Sequence, residues 1–136
     1  MSNLAIDNHN PLNIRKGYCP WKGQTGTNKG FCVFLNWFYG YRAALVLLTR
    51  TYFRKLGLNT IEKIVNRWAP PTENDTENYI RLVSQQMGVK RDQPLDLREL
   101  NTVCSLVYAM GIVENGGIHS YEAVRKYVTE LYEKGF

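Results

Sequence analysis

The sequence predicts one α+β domain that is mostly helical, with about five helices and a small β-hairpin lobe near the N-terminus. Three observations support this prediction: turn-forming residues concentrate in positions 1–38, helical periodicity runs through positions 39–135, and no repeat or linker divides the 136 residues. The 44% apolar and 12% aromatic content is typical of a packed globule. We therefore expect residues 1–136 to form a single domain.

The N-terminal lobe is defined by glycine, proline and asparagine residues that separate two short β-prone runs. These runs, Tyr18–Lys22 and Phe31–Leu35, favour a small hairpin. The same lobe contains Asn10-Pro-Leu-Asn-Ile-Arg15 and Trp21-Lys-Gly-Gln24. A turn held by asparagine side chains explains these segments as well as a binding loop does.

Two helices are predicted in the first half of the chain. The first runs from Tyr39 to a C-terminal cap at Gly57. The second begins at Asn59, where Glu62 completes a capping-box pattern, and ends before the Pro70-Pro71 pair.

Three more helices follow. The third is predicted from Asn74 to Gly88, and the fourth begins at the Asp96-x-x-Glu99 box. The fifth runs from Ser120 to Gly135. The fourth helix is the longest of these and has an unusual end.

The unusual feature is an acidic residue on an apolar stripe. Val103, Val107 and Met110 recur at helical spacing, Glu114 continues the same stripe, and Asn115-Gly-Gly follows it. Burial of a carboxyl group raises its pKa, which a general acid at neutral pH requires. The alternative is an ordinary exposed glutamate at a helix end, because the helical period drifts along the stripe.

Aromatic and acidic residues form two further candidate clusters. The segment Phe34–Arg42 is dense in rings, which are core residues or the stacking surface of a sugar-binding groove. In the segment Trp68–Tyr79, helix stop and start signals account for most positions and leave Glu73 and Asp75 without a role.

Composition narrows the classes of function. A net charge of +5 favours polyanionic partners, although the basic residues are scattered and show no nucleic-acid-binding motif. Three cysteines without ligand spacing and two histidines predict reduced thiols, no metal site and no cofactor. No segment is apolar enough to cross a membrane and no signal peptide is evident, so we expect synthesis in the cytoplasm without membrane insertion.

Several segments together resemble a known family. Asn10-Pro-Leu-Asn-Ile-Arg15, Trp21-Lys-Gly-Gln24, Trp68-Ala-Pro-Pro71 and Glu73-Asn-Asp-Thr76 resemble phage and prophage proteins labelled virion structural protein or lysin. That family is similar to the lysozyme-fold lytic protein of enveloped double-stranded RNA phages. The resemblance covers nearly the whole chain and implies a lysozyme-like fold.

A second resemblance concerns the order of the segments. In cell-wall glucosaminidases of the lysozyme superfamily, a helix ending in a catalytic Glu precedes an Asn-Leu-Phe-Gly-Ile-Lys-like segment and a Trp-x-Gly. Here the later part of that order stands first in the chain and Glu114 stands near its end. The resemblance therefore implies a circular permutation, in which Glu114 and the Asn10–Arg15 segment are adjacent in space.

The implied function is cleavage of the β-1,4 bonds of peptidoglycan glycan strands by a monomeric protein that needs no cofactor. Glu114 would be the acid, as in a lytic transglycosylase or a glycoside hydrolase. A hydrolase needs a second carboxylate, for which Asp7, Glu73 and Asp75 are the candidates. The predicted substrate-binding residues are Asn13, Arg15, Trp21, Gln24, Tyr41, Asp75 and Tyr79.

Two alternatives belong to other classes of protein. The first is a non-enzymatic phage structural or wall-binding protein that retains the fold, and the second is a basic helical nucleic-acid-binding protein. In the preferred interpretation the protein acts on the cell wall after release or as a virion component, and it binds no nucleic acid.

Overall fold

A computed structural model describes residues 3–17, 20–72 and 74–136. The described chain is mostly helical and contains a two-stranded antiparallel sheet, which confirms the predicted fold class. The elements are α1 (Leu4–Asn8), β1 (Gln24–Asn28), β2 (Phe31–Phe34), α2 (Trp37–Leu45), a π-helical segment (Val46–Lys55), α3 (Ile61–Trp68), α4 (Thr76–Met87), α5 (Leu100–Asn115) and α6 (Tyr121–Glu133). The short helix α1 was not predicted from the sequence.

The hairpin joins β1 to β2 through Lys29 and Gly30, whose φ angles of 51° and 88° suit a tight hairpin turn. Its first strand lies later than predicted. The backbone turns at Trp21, whose carbonyl accepts a hydrogen bond from the Gln24 N–H (3.0 Å), so extended pairing begins only at Gln24. Residues 18 and 19 of the predicted strand lie outside the described residues.

The predicted first helix changes its winding halfway along. Helix α2 begins after Asn36, whose side chain caps it, and the π-helical segment continues from Val46. At the end of that segment the Leu56 N–H donates to the Thr51 carbonyl (3.0 Å), which is the i to i−5 spacing of a π-helix. Gly57, the predicted cap, follows with a φ of 69°.

The N-terminal caps of α3 and α4 each lie one residue after the predicted capping position. Thr60 rather than Asn59 caps α3, and Asp75 rather than Asn74 caps α4. In both, the side-chain oxygen accepts a hydrogen bond from the backbone N–H three residues later. Gly88 ends α4 in the left-handed conformation, as predicted.

Helix α5 starts later than its predicted capping box. The Asp96 carboxylate pairs with Arg98 instead of capping the helix, and α5 runs from Leu100 to Asn115. It packs against α4 on one side and α6 on the other and contacts α1 near its end. No helix within the described residues is long and apolar enough to span a membrane.

Candidate functional site

Glu114 lies in the last turn of α5 and is partly buried. Both of its carboxylate oxygens accept hydrogen bonds from side chains in other parts of the chain. Asn13 Nδ2 donates to Oε1 (3.2 Å), and the Tyr79 hydroxyl donates to Oε2 (3.0 Å). Glu114 and the Asn10–Arg15 segment are therefore adjacent in space, as the sequence analysis expected, and Tyr79 of α4 completes the group.

The backbone of the N-terminal segment presents Asn13 to the end of α5. Asn13 has a φ of 51°, a left-handed conformation that asparagine adopts more readily than most residues. Its Nδ2 also donates to the Glu114 carbonyl (2.9 Å). Just before it, the buried Asn10 side chain exchanges hydrogen bonds with the Ile14 backbone and donates to the Cys32 carbonyl (2.9 Å). These bonds fix the turn against β2, as the asparagine-turn alternative predicted for Asn10.

Asn115 links the C-terminal end of α5 to the N-terminal segment that contains Asn13. Its buried side chain donates to the Pro11 carbonyl (2.8 Å) and accepts from the backbone N–H groups of Gly117 (2.8 Å) and Ile118 (3.0 Å). The same side chain therefore closes the C-terminal end of α5 and holds it to the N-terminal segment. No role for Asn115 was predicted from the sequence.

Burial is the main influence on the Glu114 carboxyl group and raises its pKa. Hydrogen bonds from Asn13, Tyr79 and Trp68, together with the charge of Arg15, lower it in part. The net effect is a raised pKa, so the Glu114 carboxyl group keeps its proton at a higher pH than an exposed glutamate does.

Tyr79, a predicted substrate-binding residue, does not line the cavity. It is 6% exposed and contacts Glu114 through its hydroxyl. Burial, followed by the neighbouring Glu114 charge, raises the pKa of Tyr79 well above its ordinary value, so the hydroxyl stays a neutral donor. Its place is under the carboxylate and not on an exposed sugar-binding surface.

A cavity of about 280 Å³ opens beside Glu114. Its described walls come from the N-terminal segment, the hairpin, the π-helical segment, α3 and the loop that follows α3. The lining residues are Asn13, Ile14, Arg15, Phe31, Leu47, Tyr52, Arg67, Trp68, Ala69, Pro70, Asn74 and Glu114. This combination of aromatic, amide and charged groups around one carboxyl group is suited to a polar ligand with an apolar face.

Of the predicted binding residues, Asn13 and Arg15 line this cavity, whereas Trp21, Gln24 and Tyr41 do not. The Gln24 side chain accepts from the Trp21 N–H (3.0 Å) and donates to the Gly26 carbonyl (3.0 Å), so it organises its own turn. Tyr41 is buried, and its hydroxyl contacts His119 Nδ1 (2.7 Å). The structure thus gives these three residues local packing contacts away from Glu114.

Two of the candidates for a second carboxylate, Asp7 and Asp75, do not line the cavity. Asp75 is exposed and caps α4, where its Oδ1 accepts from the Asn78 N–H (3.2 Å). Asp7 is exposed on α1. Glu73 lies outside the described residues. Among the described residues that line the cavity, Glu114 is the single carboxylate.

Sequence reasoning missed several cavity residues. Trp68 donates from Nε1 to the Leu12 carbonyl (3.3 Å) and stands at the wall next to Arg67. Both belong to α3, whose apolar periodicity suggested a core helix. The one available signal was the Trp68-Ala-Pro-Pro71 segment, which is one of the segments that resemble phage proteins. Within the described ranges, no three histidine, cysteine or acidic residues are grouped as a metal site would require.

Comparison with known proteins gave one informative relative. The chain is 39% identical to "Protein P5" of Pseudoalteromonas phage PM2 over 128 residues, which span 90% of this chain and 78% of that protein. No family model matches the chain.

Proposed function

We propose that this chain, which belongs to the family of Protein P5 of Pseudoalteromonas phage PM2, is a phage protein that cleaves peptidoglycan glycan strands, with Glu114 as its general acid. The observation that carries this proposal is the environment of Glu114. A carboxyl group with a raised pKa stands at the wall of a cavity, and two side chains from distant parts of the chain fix its orientation. A general acid requires both features.

In the proposed reaction, Glu114 donates its proton to the oxygen of the β-1,4 glycosidic bond. The bond between that oxygen and the anomeric carbon breaks, and the leaving sugar departs as an alcohol. Glu114 is then an anion, which the Tyr79 hydroxyl and Asn13 Nδ2 stabilise through the hydrogen bonds that they already make.

Glu114 is the one carboxylate among the described residues that line the cavity. This arrangement favours a mechanism that needs a single carboxylate. In that mechanism the C6 hydroxyl of the substrate attacks the anomeric carbon and gives its proton to Glu114, which closes a 1,6-anhydro ring and regenerates the acid. A hydrolase would instead need a carboxylate to activate water or to act as a nucleophile.

The test is the release of soluble sugar from purified peptidoglycan sacculi, analysed by mass spectrometry. The wild-type protein should release fragments with anhydro ends, and reducing ends would assign hydrolysis instead. Replacement of Glu114→Gln removes the proton donor with little change in shape and should abolish release. Full activity in this variant, with its fold verified by circular dichroism, would refute the assignment of Glu114.

The second candidate is a non-enzymatic phage structural or wall-binding protein that uses the same cavity to hold a glycan. Membership of a phage protein family fits this alternative better than it fits an enzyme, because a structural or binding protein requires no chemistry at Glu114. The same assay separates the two candidates. Binding to sacculi without release of sugar at any pH, for both the wild-type protein and Glu114→Gln, would favour the binding protein.

A further inference from the structure

Two arginine side chains line the cavity that contains Glu114. Arg15 follows Asn13 in the N-terminal segment, and Arg67 lies in the last turn of α3. Arg67 is exposed and forms no ion pair or hydrogen bond with a side chain in the part of the chain that the structure describes. Its guanidinium group is therefore available to a ligand at this wall.

The arginines change the electrostatics of the cavity. When Glu114 is protonated, the described lining carries two positive charges and no negative one. A guanidinium group binds a carboxylate through two parallel hydrogen bonds, a geometry that a neutral hydroxyl cannot match. The lining is therefore complementary to an anionic ligand.

We propose that this cavity selects glycan strands whose sugars carry a carboxylate over neutral strands of the same backbone, and that Arg67 binds that carboxylate. This inference rests on the proposed function and adds a specificity-determining residue to it. Trp68 and Pro70 lie beside Arg67 in the same wall and provide an apolar surface for the face of the sugar ring.

The chemistry of the site agrees with an anionic substrate. A negative charge close to Glu114 disfavours ionisation of its carboxyl group, so the bound sugar would help to keep the acid protonated. Arg67 would offset the repulsion between the sugar carboxylate and Glu114 after the proton has been transferred. A neutral strand would neither help to keep Glu114 protonated nor bind Arg67 through a carboxylate.

The experiment measures binding to three oligosaccharide probes of matched length. The first is a peptidoglycan glycan strand freed of its peptides, so that each lactyl carboxylate is exposed. The second is the same strand with those carboxylates converted to amides, and the third is a neutral chitin oligosaccharide. The Glu114→Gln protein is used for binding so that no probe is cleaved, and the wild-type protein is used for cleavage.

The control variant is Arg54→Gln. Arg54, like Arg67, is an exposed arginine in the last turn of a helical segment, but it lines a different groove. Both variants lose one positive charge from the same parent protein, so a nonspecific charge effect would weaken both equally. In the Glu114→Gln background, Arg67→Gln should weaken binding of the carboxylate strand by at least about tenfold, because one charge-assisted hydrogen bond alone accounts for about that factor. Arg54→Gln should not.

The outcomes distinguish the two proposals. Selective binding of the carboxylate strand, lost in Arg67→Gln and partly kept in Arg67→Lys, supports the inference. Equal binding of the carboxylate and amide strands overturns it, even if the wild-type protein cleaves both and the proposed function stands. Selective binding without cleavage by the wild-type protein would refute the enzymatic function and leave Arg67 as the specificity residue of a binding protein.

Discussion

The contact between Asn115 and the N-terminal segment allows a quantitative test of how the site is assembled. Replacement of Asn115→Ala removes three hydrogen bonds, one donated to the Pro11 carbonyl and two accepted from the Gly117 and Ile118 N–H groups. The residue is 8% exposed, so water does not readily replace the lost partners.

The expected loss follows from the individual bonds. A buried hydrogen bond contributes about 1 kcal/mol net, and a buried group left without a partner costs about 1–3 kcal/mol. Three bonds therefore give a loss of roughly 3 kcal/mol in the free energy of unfolding. Alanine recovers no more than about 0.7 kcal/mol through its higher helix propensity. We expect a net loss of about 2–4 kcal/mol, a large share of the typical stability of a domain.

The assay is urea unfolding followed by the fluorescence of the three tryptophans. The matched control is Asn101→Ala, on the same helix, whose exposed side chain accepts one hydrogen bond from Arg125 Nη1 (2.6 Å). That control should change the unfolding free energy by no more than about 0.5 kcal/mol. A loss below about 1 kcal/mol in Asn115→Ala would show that these bonds do not hold the end of α5 to the N-terminal segment.

Two further predictions concern Tyr79 and Gly40. Tyr79→Phe removes a donor that stabilises the ionised Glu114, so the pKa of Glu114 should rise and the alkaline limb of the pH profile of glycan cleavage should move to higher pH. The control is Tyr108→Phe, at a partly buried tyrosine of α5. An unmoved limb in Tyr79→Phe would contradict the role of this hydrogen bond. In Gly40→Ala the new Cβ would lie 2.1 Å from the His9 carbonyl oxygen, so thermal unfolding should show a loss of about 3 kcal/mol or more, the upper end for overpacking. Gly111→Ala meets only an ordinary contact at 3.5 Å and should be neutral or stabilising, and equal stability of the two variants would refute the close approach of α2 to residue 9.

The helices could be predicted because their signals are local. Apolar spacing and capping residues depend on neighbours within one or two turns, and five predicted helical regions correspond to helical segments in the structure. Errors occurred where adjacent residues compete for one role. Asn59 and Thr60 can both cap α3, and only the geometry of the preceding loop selects Thr60. The π-helical winding of Val46–Lys55 has no comparable signal in the sequence.

Only part of the candidate site could be predicted from the sequence, because only some of its residues stand out from their local pattern. Glu114 was found because it interrupts a local pattern, and Asn13 because its segment resembles a known one. Trp68 and Arg67 were missed because their positions in α3 look like an ordinary core residue and an ordinary exposed charge. Trp21 and Tyr41 were predicted to contact sugar because aromatic residues serve both cores and binding surfaces, and residue type alone does not separate these uses.

The sequence by itself determined the fold class, most of the helical segments and the unusual position of one carboxyl group, because these depend on periodicity and composition. Only the tertiary structure decided what surrounds that carboxyl group. Asn13 lies 101 positions and Tyr79 lies 35 positions away from Glu114 along the chain, yet both donate hydrogen bonds to its carboxylate. The burial and hydrogen bonds that set the pKa of Glu114 come from such distant segments, so they exist only once the chain has folded.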